Sequence, residues 1–384
     1  MKRWFFTCFF FFAVPATQAQ DSTATAKKLT IAGYIKDLQS MSFEKNFHEM
    51  TSVNLVHNRI NLKWKPTNHF YIAAEFRNRI YWGEQVRTTP GFAGLLRNNN
   101  EWLNLQKAWI NSTSLVLHSN TERLYADFRN ARFGIRVGRQ RINWGITTSW
   151  NPNDIFNTYN FLDFDYEERP GVDAVRAQYF FKNTAVLELA HSCTGNNNRT
   201  ITALKYAFNT WNYDMQFITG WYQDHLTVGA GWAGNIKDAG FKGEWQYFFR
   251  GKDSAGHLNI SLEGDYMFPK GWYLNGSLLF NSLGLYTRVS NWNNINLKLS
   301  AENPMPTRWN ALITASKEIT PLFSASLGVL YAPGTRLLIL LPTLQYNMAT
   351  NLDLSLVWQS FFAEIDSRFG SVSNICNLRL KWSY

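Results

Sequence analysis

The last eight residues of the chain carry the feature that most constrains its fold. Residues 377–384 alternate polar and apolar side chains, and the chain stops on Tyr384. Alternation with a period of two is typical of a β-strand with one polar and one apolar face. The apolar face contains Trp382 and Tyr384, and aromatic residues mark the membrane interfaces of transmembrane barrels. The pattern predicts the aromatic closing strand of a transmembrane antiparallel β-barrel.

The N-terminal residues predict export. Lys2 and Arg3 precede an apolar run at 4–14, and small residues follow up to Ala19. This is the pattern of a secretory signal peptide over 1–19, which leaves 20–384 as a single barrel domain. The run is shorter than the roughly 20 residues that a spanning helix needs. We therefore expect a protein that crosses the periplasm and reaches the outer membrane.

Period-two alternation recurs along the whole chain. We identify nineteen alternating segments, among them 131–143 and 293–302, and assign no strand to 113–130. Bacterial single-chain barrels use an even number of strands, so we expect about 16–18. The fold class is all-β. A soluble β-sandwich or propeller would also give alternation, but its strands average only five or six residues.

Four stretches in the middle of the chain carry a family resemblance: 136–145, the Trp-Asn-Pro-Asn-Asp run from Trp150, the acidic stretch 163–168, and 169–176. Residues 132–180 resemble porin-like outer-membrane proteins of Gram-negative bacteria, the group that includes alginate-export and phosphate-selective porin-type barrels. The resemblance implies a lone barrel that passes or binds solutes. It also implies outer-membrane lipid as a partner, and the barrel-assembly machinery acting through the C-terminal strand.

Residues 144–171 form a long connection that is both aromatic and acidic. A long loop in a compact fold is usually functional or disordered. One hypothesis is that it folds into or over the pore as a constriction, with its acids pairing luminal arginines. The alternative is an extracellular loop whose acids are solvated. The acids concerned are Asp154, Asp163, Asp165, Glu167 and Glu168.

Strand parity predicts the pore-lining residues, because side chains opposite the apolar face point into the lumen. The predicted set is Arg59, Lys63, Glu75, Arg77, Arg79, Arg132, Arg136, Arg176, Arg379 and Lys381. A positive wall favours anions. The alternative is that these charges form ion pairs within the wall, with partners such as Glu75, Glu263 and Asp265. Arg139 and Arg141 fall on the lipid side by parity, so we expect them near an interface or turned inward by a bulge.

The sequence favours a channel for small polar solutes, with a bias toward anions, over two other functions. A non-conducting surface protein that binds or exports polysaccharide is the alternative, with Trp102, Trp144, Trp150 and Tyr159 as residues that would stack on sugars. An outer-membrane enzyme is not expected, because Ser149 has no identifiable His partner. We expect no cofactor, no metal site and no nucleic-acid partner, since the basic charge is spread along the strands. The oligomeric state is open.

Overall fold

The computed structural model describes residues 28–44, 50–98, 101–157, 170–195, 199–251, 255–288, 299–365 and 368–384. These contain nineteen strands, two short α-helices and a 3-10 helix at Pro269–Gly271. The strands are β1 Leu29–Phe43, β2 Thr51–Trp64, β3 Phe70–Trp82, β4 Gln106–Asn111, β5 Leu115–Arg129, β6 Phe133–Gln140, β7 Val172–Phe180, β8 Val186–Cys193, β9 Ile201–Thr210, β10 Tyr213–Tyr222, β11 His225–Ile236, β12 Ala239–Phe248, β13 His257–Phe268, β14 Trp272–Asn281, β15 Trp309–Thr320, β16 Phe323–Ala332, β17 Leu337–Ala349, β18 Leu352–Ile365 and β19 Arg368–Ser383. The helices are α1 Glu84–Thr88 and α2 Phe92–Leu95.

Eighteen of these strands close into an antiparallel ring. β1 pairs with β2 on one edge and with β19 on the other, where Lys36 lies opposite Lys381. β4 is the strand that is not counted in the ring. It pairs only with residues 116–120 of β5, whereas β6 pairs with residues 124–129 of the same strand. The predicted transmembrane-type barrel of about 16–18 strands is therefore confirmed, and the sandwich and propeller alternatives are wrong.

Two strand predictions differ from the structure. The fifteen-residue strand β5 occupies 115–129, where we predicted none. Its outward positions include the polar Ser119 and Thr121, and a register shift opposite Glu75 and Phe76 reverses its parity, so the alternation is hidden. Of the strand predicted at 293–302, only residues 299–302 are described, and these are not strand.

The two ends of the barrel differ in their connections. Short turns such as 130–132, 211–212 and 237–238 lie at the end that also holds Leu29 and Ser383. The other end, which we call the long-loop end, carries the connections 83–105 and 141–171. Tight turns at one end and long loops at the other are the pattern of outer-membrane barrels, in which the long loops face outward from the cell.

The outer surface of most of the ring is apolar. On β14, for example, Leu274, Leu278 and Phe280 point outward, while Asn275 and Ser277 point inward and are buried. No helix among the described residues is long and apolar enough to cross a membrane. Cys193 and Cys376 are both free thiols.

Candidate functional site: the barrel lumen

Residues 141–157, which we call the in-folded segment, run from the end of β6 into the interior of the barrel. Ile142, Trp144, Ile155 and Phe156 pack there against inward side chains of strands β7 to β12. Trp150 joins a second apolar cluster, which is formed by strands β14 to β18. Apolar burial thus holds the segment against two stretches of the wall, β7 to β12 and β14 to β18.

Glu244 of β12 is the main polar anchor of the in-folded segment. Its carboxylate accepts hydrogen bonds from the backbone N–H groups of Thr147 at 3.0 Å and Asn153 at 3.0 Å. The Thr147 hydroxyl and the Asn151 amide also donate to it. Glu244 is fully buried. A buried carboxylate needs such donors, because an unpaired charge in the interior is costly.

Glu263 of β13 and Gln216 of β10 extend this anchor along the wall. Glu263 accepts hydrogen bonds from the backbone N–H and the hydroxyl of Thr148, both at 2.8 Å, and lies 3.3 Å from the Lys242 ammonium. The Gln216 amide donates to the carbonyl of Trp144 at 2.6 Å. The segment therefore presents donors and carbonyls to the wall, and the wall supplies the carboxylates.

Glu188 of β8 holds the first turn of the segment. It accepts the indole N–H of Trp144 at 2.6 Å and the amide of Gln178 at 2.6 Å. Arg176 and Lys205 both lie 3.9 Å from it. Trp144 is thereby fixed as a buried side chain, so it does not offer a face on which a sugar could stack.

A second connection also turns inward beside the in-folded segment. Asn259 of β13 donates to the carbonyls of Ala301 and Glu302, both at 3.0 Å. Asn281 of β14 donates to Asn303 at 2.7 Å. Polar side chains of the wall thus hold the described residues 299–303 as a loop, whereas 293–298 of the predicted strand lie outside the described residues.

Basic side chains line the opposite side of the lumen in one register row. Direct cross-strand partners place Lys381, Lys36, His57, Arg79 and His118 side by side on β19, β1, β2, β3 and β5. We call the three charged members, Lys381, Lys36 and Arg79, the cationic row. Arg79 lies 3.1 Å from the His118 ring nitrogen Nδ1. The row contains Arg79 and Lys381 from the predicted set. Parity reasoning did not single out Lys36 or the two histidines that flank Arg79.

The other predicted pore-lining residues lie mostly in ion pairs. Arg59 pairs with Glu75, and Arg77 lies 3.2 Å from Glu122. Arg136, which faces Arg176 across the β6–β7 ladder, lies 2.6 Å from Asp127. Arg59, Arg77 and Arg136 therefore follow the alternative prediction, in which luminal charges form ion pairs within the wall.

Three further predicted residues lie toward the short-turn end or beside the cationic row. Lys63 is exposed near the end of β2, with its ammonium 4.3 Å from the centre of the Tyr71 ring. Arg132 lies in the turn between β5 and β6, beyond the alternating strand. Arg379 lies next to Lys381 on the same face of β19 and donates to the Ser355 hydroxyl at 3.2 Å.

Of the predicted loop acids, only Asp154 is described. It is buried within the in-folded segment, and its carboxylate interacts electrostatically with Lys205 of β9. Asp163, Asp165, Glu167 and Glu168 lie outside the described residues, as does Tyr159. Pairing of these four acids with luminal arginines therefore stays a prediction.

Arg139 forms a clamp on the outer side of the wall near the long-loop end. Gly138 before it has a φ of 119°, a left-handed conformation that favours glycine. The guanidinium makes a bidentate pair with Asp173 at 2.9 and 3.0 Å and donates to the carbonyl of Thr121. Glu101 lies 2.9 Å away. Residues 101–103 cover the pair, which keeps an arginine of lipid-facing parity almost fully buried.

Comparison with solved structures identifies the fold of this barrel. OccAB4 of Acinetobacter baumannii matches 93% of the chain over 98% of its own length, with a TM-score of 0.56 and 9% identity. OccK11 (OpdR) of Pseudomonas aeruginosa matches 92% over 95%, with a TM-score of 0.56 and 9% identity. OpdQ of the same organism matches 93% over 98%, with a TM-score of 0.55 and 6% identity.

No protein-family model matches the chain, and no curated protein gives a significant sequence match. The structural likeness does not point to the alginate-export or phosphate-selective group, so that part of the resemblance stays a prediction. What the likeness does show is architecture: the chain folds as a closed 18-stranded antiparallel barrel of the outer-membrane porin type.

Proposed function

We propose that the protein is an outer-membrane channel that passes small polar solutes and favours anions. The observation that carries the proposal is the separation of charge around the lumen. Glu244 and Glu263 are buried on one side beneath the in-folded segment. Lys36 and Arg79 of the cationic row are buried on the other side, with Lys381 half-buried beside them. A pore wall of one sign favours ions of the opposite sign.

The geometry of the ring supports this separation. In the closed order of eighteen strands, β12 with Glu244 lies nine positions from β2 with His57, whichever way the ring is followed. The main anchor of the in-folded segment therefore lies diametrically opposite β2, the strand between Lys36 of β1 and Arg79 of β3.

The carboxylates of the anchoring wall contribute little attraction for cations. Glu244 has its charge satisfied by backbone and side-chain donors of the segment, and Glu263 by Thr148 and Lys242. Both are removed from solvent, and so are Lys36 and Arg79 of the cationic row. Arg59, Arg77 and Arg136 are each opposed by a carboxylate in their own part of the wall.

The in-folded segment acts as the constriction in this proposal. An eighteen-stranded ring is wide enough to enclose an aqueous channel. The segment contacts β7 to β13 through its polar anchors and reaches strands β14 to β18 through Trp150. On the basic side, Val86, Ala93 and Leu96 of the connection after β3 pack against β2, β3 and β5. Of the residues predicted to stack on sugars, Trp144 and Trp150 are buried within apolar clusters, whereas Trp102 near the long-loop end is exposed.

Liposome swelling with three solutes of similar size tests the proposal. Protein-containing liposomes are diluted into isotonic gluconate, glucose or glucosamine, with protein-free liposomes as the control. We expect swelling to be fastest with the anion gluconate, slower with glucose and slowest with the cation glucosamine. Absence of swelling would contradict a channel, and fastest swelling with glucosamine would contradict the anion preference.

A further inference from the structure

The short connections at the end opposite the long loops carry a ring of basic side chains. Eight connections join strands at this end, and all of them lie within the described residues. Five of the eight hold an exposed lysine or arginine, and we call this set the basic rim: Lys65, Arg132, Lys182, Lys237 and Lys270. The one acid in these described connections is Asp238, beside Lys237. The long-loop end differs, because its connections mix acids such as Glu84 with bases such as Arg87.

The charges of the basic rim have no counterpart on the barrel itself. Within the part of the chain that the structure describes, none of the five side chains forms an ion pair, and all five are exposed. Arg59, Arg77 and Arg136 of the lumen, by contrast, are each opposed by a carboxylate. The positive charge of the rim therefore remains available to a partner outside the chain.

Each member of the basic rim adjoins an exposed apolar residue at the edge of the outer surface. These neighbours are 40–56% exposed, and they are Trp64, Phe133, Phe181, Ile236 and, on the two sides of Lys270, Phe268 and Trp272. Aromatic and aliphatic groups beside lysine or arginine are typical of the boundary between a membrane and water, because the apolar groups settle in the boundary while the charged tips reach the lipid headgroups. The rim therefore lies at the level of the headgroups of one leaflet.

The connection between β13 and β14 shows this arrangement in most detail. Trp272 lies opposite Phe268 on one ladder and opposite Lys317 of β15 on the other. The Lys317 ammonium lies 5.1 Å from the centre of the Trp272 ring. Lys270 is exposed in the connection, two residues before Trp272. Two lysines thus flank an outward tryptophan, one along the chain and one across the ladder, which combines attraction for a phosphate with apolar surface for the chains of the same lipid.

We propose that the basic rim binds the headgroups of anionic phospholipids in the leaflet that surrounds the short connections. The group bound is a phosphodiester anion, to which lysine and arginine donate charge-assisted hydrogen bonds. The apolar neighbours favour a lipid over a soluble acidic partner, because they place each charge at the edge of the hydrocarbon region. This inference does not depend on the proposed channel function, and its test involves no conductance.

The direct test is native mass spectrometry of the protein in detergent, with one lipid added at a time. The probes are phosphatidylglycerol, which is anionic, and phosphatidylcholine with the same acyl chains, which has no net charge. We expect the wild type to bind phosphatidylglycerol at least fivefold more tightly, and the preference to shrink as the salt concentration rises, because salt screens exposed charges. Equal affinity for the two lipids would overturn the proposal.

Two matched triple variants locate the binding. The rim variant combines Lys182→Gln, Lys237→Gln and Lys270→Gln. The control variant removes the same charge from exposed positions at the long-loop end and combines Arg87→Gln, Arg97→Gln and Arg199→Gln. The rim variant should lose at least threefold of the preference for phosphatidylglycerol, and the control variant should keep it. Equal losses in the two variants, with both folded by heat-modifiability in gels, would overturn the proposal.

A smaller variant tests the lysines beside Trp272. Lys270→Gln with Lys317→Gln should remove the phosphatidylglycerol that binds most tightly, whereas Lys270→Arg with Lys317→Arg should retain it. Unchanged binding in both the glutamine pair and the rim variant would overturn the proposal.

Co-sedimentation with purified peptidoglycan sacculi tests the main alternative partner, a polyanion of the cell wall. We expect the wild type in phosphatidylcholine nanodiscs to stay in the supernatant, because the rim requires a lipid headgroup beside its apolar neighbours. Salt-sensitive co-sedimentation that the rim variant loses would assign the rim to the cell wall and overturn the proposal.

Discussion

Glu244 is the residue on which the position of the in-folded segment depends most. It accepts hydrogen bonds from two backbone N–H groups and from the side chains of Thr147 and Asn151, and it is fully buried. Hydrogen bonds to a charged acceptor are stronger than neutral ones, and buried donors that lose their acceptor are costly. A single side chain on the wall can therefore control how far the lumen is filled.

Replacing Glu244 by Ala should release the in-folded segment. We expect the free energy of unfolding to fall by about 3 kcal/mol, because several buried donors lose a charged acceptor. Single-channel conductance should rise, since the segment no longer stays against the wall. Glu318→Ala on β15, where no described hydrogen bond to the in-folded segment is found, is the matched control. An unchanged conductance and stability for Glu244→Ala would contradict the anchor role.

The cationic row gives a second prediction at the residue scale. Lys36→Gln combined with Arg79→Gln removes two of its charges and should move the reversal potential in a salt gradient toward that of an unselective pore. Lys317→Gln removes a lysine that points outward from β15 beside Trp272, and should leave the reversal potential unchanged. Equal shifts from the luminal and outward variants would mean that the row does not set selectivity.

At the scale of elements, the close contact between the in-folded segment and strand β11 depends on Gly231, which has no side chain. A Cβ at Gly231 would lie 2.7 Å from the Ile146 side chain and 2.9 Å from the Asn153 side chain. The luminal face of β11 thus leaves space that the segment fills. A larger side chain there has to displace the segment or distort the strand.

Gly231→Val is therefore expected to push the in-folded segment away from the wall while the ring stays closed. The expected readouts are altered single-channel conductance, noisier open-channel current and unchanged β-sheet circular dichroism. Gly276→Val on β14 is the matched control, because a Cβ at Gly276 has no atom within 4 Å. Channel behaviour identical to the wild type for Gly231→Val would show that the segment does not shape the passage.

The connection between β3 and β5 supplies a pH dependence. Burial raises the pKa of Glu101 to about 7, and the nearby Arg139 guanidinium only partly opposes this shift. Because the pKa is higher in the folded state, the folded protein binds more protons than the unfolded chain between about pH 4.5 and 7. The contribution of Glu101 to the free energy of unfolding is therefore present at low pH and is lost as the pH rises through 7.

Glu101→Gln should remove that dependence. At pH 8 the variant should be as stable as the wild type or more so, and the wild type should gain on it by about 1–3 kcal/mol as the pH falls to 5. Urea unfolding at the two pH values measures the difference. Glu84→Gln, an exposed acid at the start of α1, is the control and should follow the wild type. A parallel response of Glu101→Gln and the wild type would contradict the raised pKa.

Particular elements show how far sequence reasoning reached. The closing strand β19 was predictable because residues 377–384 alternate without interruption. Strand β5 was not, because Ser119 and Thr121 place polar groups on its outer face and the register shift opposite Glu75 and Phe76 reverses its parity. Alternation is read along one strand at a time, so a strand with polar residues on its outer face and a register shift in its middle is not recognised by it.

The candidate site was predictable only in part for a similar reason. Strand parity predicted that Arg77, Arg79 and Lys381 face the lumen. It could also have identified Lys36, which lies on the same face of β1 as Tyr34 and Leu38. The hydrogen bonds that anchor the in-folded segment to the wall could not be predicted from the sequence. Thr147 and Glu244 are 97 positions apart in sequence, and nothing in the local pattern of either residue marks them as partners.

The whole molecule is a closed ring of eighteen strands with an uneven distribution of charge on its inner face. The buried carboxylates bind the in-folded segment on one side, and the cationic row lies on the opposite wall.

The reversal potential of the wild-type protein in a planar bilayer tests the central claim most directly. Refolded protein is placed in a bilayer with a tenfold KCl gradient, and single-channel currents are recorded over a range of voltages. The account predicts discrete conductance steps with a reversal potential displaced toward the chloride equilibrium potential. Inserted protein without conductance, or a reversal potential displaced toward that of potassium, would contradict it.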